Sequence, residues 1–142
     1  MNVVDALQVS LVPIVILSAA ALISLSIQQR YGRVIDRIRI FHEKLLADKK
    51  WEELIHEQLG ILIKRGKLLR NAMFFLMLCI LFALLTIVFL SVEILYGGMS
   101  MAVMLFFSLS LASLFISVIF AIIEMFISYN AVLREDERIR KI

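Results

Sequence analysis

Three stretches without a single charge decide what this chain can fold into. They cover residues 6–29, 71–92 and 94–123, with 24, 22 and 30 residues respectively. A helix crosses the hydrocarbon core of a bilayer with about 20 apolar residues. In lipid it also satisfies its own backbone, which an open sheet cannot do. Composition agrees: the chain is 62% hydrophobic, where a soluble domain is about half apolar. The expected fold class is an all-α membrane protein with three transmembrane helices. Helices one and two are expected to extend into a cytoplasmic antiparallel helical hairpin.

Charge supplies the orientation. All 15 Lys and Arg residues fall in two segments. Eleven lie in the connector between the first two apolar stretches, and four lie in the tail beyond residue 133. Basic residues stay on the cytoplasmic side. The N-terminus is therefore expected outside, with connector and tail inside, in a cell membrane crossed three times. A cleaved secretory leader is not expected, because such a leader carries positive charge before its apolar core. Here Asp5 precedes the first stretch, and Arg30, Arg33 and Arg37 follow it. A basic inner border of Arg33, Arg37, Arg39, Lys64, Arg65 and Lys67 is expected to attract anionic lipid headgroups. Nucleic-acid binding is not expected, since these bases follow the membrane border and no recognition motif accompanies them. The one cysteine, Cys79, excludes an intramolecular disulfide.

The chain divides accordingly. Residues 1–29 give the outer N-terminus and first transmembrane helix, 30–70 the cytoplasmic hairpin, and 71–93 the second transmembrane helix. Residues 94–100 give an outer turn, 101–129 the third transmembrane helix, and 130–142 a charged cytoplasmic tail. Pro13 is placed in the first turns of its span, where a missing donor costs least. No breaker separates that span from the connector. There Tyr31, Val34, Ile35, Ile38, Phe41, His42 and Leu45 repeat at the spacing of one helix face. After a turn at residues 47–50, Trp51, Ile55, Gln58, Leu62 and Leu69 do the same. Ile40 and Leu59 fall off these stripes and are expected to help join copies in a homo-oligomer.

Residues 10–39 carry a proline early in the span (Pro13), a Ser-Ala-rich centre (Ser18, Ala19, Ala20, Ala21) and a basic border. That border reads Arg30, Gly32, Arg33, Val34, Ile35, Asp36, Arg37 and Arg39. In these features the chain resembles an uncharacterised family of small prokaryotic three-span membrane proteins, a domain of unknown function. Span order and an acid late in the third span are similar as well. The resemblance implies no activity, substrate or catalytic residue.

That acid is Glu124, between Ile123 and Met125. On a helix it shares a sector with Ser110, Ser113, Ser117, Ala121 and Ser128. Small and hydroxylated residues let membrane helices approach and bond, so the stripe serves either packing or a polar pathway. An intramembrane acid is unfavourable by about 3 kcal/mol on insertion scales and is by default a functional candidate. It persists either uncharged or paired with a base. The expected base is Arg30 or Arg70, with Gln28 or Asn71 assisting. Glu93, at the outer end of span two, is either a solvated helix end or, with Asp5, part of a cation-attracting mouth.

No phosphate loop, nucleophile elbow or metalloprotease helix is present. His42 and His56 fall on different faces of their arms, whereas a metal centre needs convergent ligands and a second shell. Neither enzyme activity, cofactor nor metal is expected. Two readings of function remain. The first is a homo-oligomer that permits ion or small-solute permeation. The second is a non-conducting scaffold or accessory subunit whose basic hairpin binds a partner protein or anionic lipid.

Overall fold

The three apolar stretches become parts of three long helices that continue past their charged borders. The computed structural model describes the backbone of residues 3–47 and 52–139, and the side chains of residues 8, 11–43, 56 and 58–133. Helix α1 spans Val3–Ala47 (45 residues), α2 spans Glu52–Tyr96 (45 residues) and α3 spans Ser100–Ile139 (40 residues). Each is long and apolar enough to cross a membrane. The connector turn expected at 47–50 lies largely outside the described residues, as do the side chains of Trp51 and Ile55.

Pro13 departs from expectation. Because α1 begins at Val3, the proline lies in the helix interior and is buried. It removes the rung to the Val9 carbonyl, a loss of about 3 kcal/mol in a helix interior. The turn between α2 and α3 uses Gly97 and Gly98, at φ +73° and +84°. This is the left-handed region that glycine enters without a Cβ penalty. The Gly97 N–H donates to the Glu93 carbonyl at 2.9 Å.

Burial repeats every seven residues. On α1 the buried positions are Pro13, Ala20, Ile27 and Val34. On α2 they include Leu62, Leu69, Leu76, Ala83 and Leu90, and on α3 Ser110, Ser117 and Glu124. A seven-residue repeat is the signature of left-handed, knobs-into-holes helix packing. Helix α2 carries a second buried series, Ala72, Cys79 and Thr86, so it presents two adjoining faces to neighbours. Leu59 is buried and Ile40 exposed, which removes Leu59 from the surface expected to join copies.

The chain forms two compact units, one from residues 1–26 and 73–117, the other from 27–72 and 118–142. In the first, apolar unit, α2 and α3 pack closely. The Ser110 hydroxyl donates to the Cys79 carbonyl at 3.1 Å, and its oxygen lies 3.5 Å from the Cys79 sulfur. Phe106 stacks on Phe89 with centroids 5.0 Å apart and 7° between planes. Small side chains at the contact permit this approach. Outward, the unit shows Leu22, Leu25, Phe74, Val88, Met101 and Phe115, an apolar surface far larger than a soluble protein leaves open. Ser110→Leu is expected to overpack this contact and lower stability in detergent by about 1–3 kcal/mol. Denaturant titration would check this, with Ser110→Ala as the milder comparison.

In the second, basic unit, a Cβ added at Gly66 would stand 3.7 Å from Val34 Cγ1, so α1 and α2 lie close there. Around them α3 brings Glu124, which is 1% exposed.

Candidate functional site

Glu124 occupies a buried heptad position of α3, and the basic border of α1 and α2 closes around it. Arg65 Nε donates to Glu124 Oε1 at 2.9 Å. Arg30 Nη1 lies 3.8 Å from Oε2, an ion-pair distance too long for a hydrogen bond. The two bases are not equivalent. The Arg65 side chain is 17% exposed and that of Arg30 is 41% exposed. A charge pair withdrawn from water interacts more strongly than a solvated one, so Arg65 is the principal partner.

Arg65 replaces Arg70 in the role expected from the sequence. Arg70 is exposed and is not among the partners of Glu124. The five-residue step from Arg65 to Arg70 turns about 140° around a helix, so the two bases occupy different faces of α2. Gln28 is exposed and Asn71 half-buried, and neither bonds the carboxylate. Arg65, assigned by sequence only to the basic border, is the residue that pattern reading missed.

A cavity of about 510 Å³ opens beside the pair. Arg30, Arg33, Arg37 and Arg65 line it together with Glu124 and Ser128, so four arginines and one acid share its wall. Arg30, Arg33 and Arg37 share one face of α1 through i, i+3 and i+7 spacing. Arg33 Nε donates to the Gln29 carbonyl at 3.3 Å. Among the described residues no carboxylate pairs with Arg33 or Arg37. Arg39, Lys64 and Lys67 are exposed and lie outside the lining.

The other expected positions are dispersed. Ser110, Ser113 and Ser117 are buried in the apolar unit. In the same unit the Glu93 carboxylate accepts the Met99 backbone N–H, which ties the end of α2 to the glycine turn. The side chain of Asp5 lies outside the described residues. His42 is exposed, with Nδ1 3.0 Å from the Ile38 carbonyl, and His56 is exposed.

One family model covers residues 10–134 and includes every residue of this cavity. The chain belongs to the family described as protein of unknown function (DUF2721). No curated protein and no solved structure matches it. Membership agrees with three apolar helices, which indicate a multi-pass membrane protein.

Proposed function

We propose that the protein is a non-conducting scaffold or accessory subunit of the cell membrane, with its basic unit at the cytoplasmic face in contact with anionic lipid. The observation that carries this is how the polar interior is used. Ser110 bonds Cys79, Thr86 bonds the Phe82 carbonyl, and Glu124 bonds Arg65. Among the described residues no buried side-chain nitrogen or oxygen lacks a partner. A polar permeation path would turn such groups toward a lumen, whereas these groups bond within the chain. Glu93 accepts the Met99 N–H and so has a role in closing the turn without any pore. A homo-oligomer is compatible with the apolar outer surface, although none of these bonds requires a second copy.

Two measurements test this reading. Protein reconstituted into dye-loaded vesicles is expected to leave monovalent cation and anion flux at the level of empty vesicles. Sustained flux proportional to protein content would favour permeation instead. For orientation, a reporter fused after Ile142 is expected to read cytoplasmic, and one inserted between Gly97 and Gly98 external. The opposite pattern would remove the cytoplasmic placement of the basic unit.

A further inference from the structure

The geometry points to the arginine-lined groove as a discrete site for the phosphate of an anionic phospholipid. This rests on the membrane placement proposed above and adds a ligand class and named residues to it. Arginine is the side chain suited to phosphate, because its planar fork donates paired hydrogen bonds and keeps its charge under all ordinary conditions. The groove holds four arginines, and the one carboxylate among them is already engaged by Arg65 and Arg30. Arg33 and Arg37 meet no carboxylate among the described residues, so the described lining of this concave surface carries more positive than negative charge. Basic pockets between membrane helices at the cytoplasmic border are suited to acidic headgroups.

The remaining lining argues for a lipid over a free anion. Met125 and Val132 line the groove while being 52% and 60% exposed. On the same stretch of α3, Ile122, Phe126, Tyr129 and Leu133 are also exposed. A phosphate among the guanidinium groups would thus have an apolar helix surface beside it for acyl chains. An inorganic anion has no use for that surface. Ser128, one turn beyond Glu124 and half-buried in the lining, offers a hydroxyl donor from the third helix.

The test compares two charge-matched double variants of the full chain in nanodiscs. Arg33→Gln with Arg37→Gln removes two groove bases and leaves the Arg65–Glu124 pair untouched. Lys64→Gln with Lys67→Gln removes the same charge from exposed positions outside the lining. Nanodiscs contain phosphatidylcholine alone or with a minor fraction of phosphatidylglycerol, and bound acidic lipid is counted by native mass spectrometry after release. Wild type is expected to retain acidic lipid. The arginine variant is expected to lose about thirtyfold in affinity at roughly one kcal/mol per base, and the lysine variant less than about threefold. Equal losses in both variants would overturn the proposal in favour of diffuse surface attraction. In a separate arm, inorganic phosphate is added to detergent-solubilised protein. If it raised thermal stability as much as phosphatidylglycerol, and did so through Arg33 and Arg37, the lipid assignment would be overturned. Circular dichroism of each variant verifies that helix content is retained. The readout is independent of ion flux, so a conducting protein that still selects acidic lipid would refute the scaffold reading and leave this site standing.

Discussion

Glu124→Ala is expected to destabilise the protein in detergent by about 3–5 kcal/mol, because it leaves Arg65 with no carboxylate in a largely enclosed position. The wild-type carboxylate is 1% exposed, and it accepts the Arg65 Nε at 2.9 Å. Removing it therefore strands a guanidinium and opens a void in the same step. Glu124→Gln keeps the volume and an oxygen acceptor, so its effect is expected to be less than half as large. Denaturant titration followed by far-ultraviolet circular dichroism would separate the two variants. Equal losses would mean that packing volume, and not the ion pair, is what Glu124 contributes.

The second large effect is an asymmetry between two arginines that touch the same carboxylate. Arg65→Met leaves Glu124 buried without its hydrogen bond and is expected to lower stability by about 3 kcal/mol. Arg30→Met is expected to lower it by less than about 1 kcal/mol, since Arg30 stands 3.8 Å away with a side chain 41% exposed and solvated pairs contribute little. Replacing both members of the buried pair, with Arg65→Met and Glu124→Met together, is expected to recover much of the loss. Well-packed apolar pairs often substitute for buried ion pairs without penalty.

Much of the architecture is visible in the chain. The three uncharged stretches identify three apolar helices, and Pro13 together with the basic border at 30–39 points to the family. Position within a helix is harder to read. Placing polar residues at 100° per residue groups Ser110, Ser117 and Glu124, the same positions that are buried at a seven-residue repeat, but apolar positions give no such contrast. Leu59 is four residues after Ile55 and three before Leu62, so it adjoins their stripe, and it is buried. Helix facing also bears on the partner of Glu124. Counting from the glycine turn pairs Glu124 with the neighbourhood of Arg70. Arg65 is five residues earlier, about 140° away around the helix, and only the facing of α2 and α3 within the basic unit selects it. The arginine groove was legible only as a basic border. Charge along a sequence gives membrane polarity, whereas a cavity needs the facing of three helices.

A pair of double-mutant cycles measures directly which base holds Glu124. Arg65→Met and Arg70→Met are each combined with Glu124→Gln, and unfolding free energies are compared in the same detergent. A coupling of about 2–3 kcal/mol is expected for Arg65 with Glu124, as for residues in direct contact. For Arg70 with Glu124 the coupling should fall within about 0.5 kcal/mol of zero, as for independent positions. Strong coupling to Arg70 together with none to Arg65 would contradict the packing of α3 on α2 in the basic unit, and with it the arginine groove.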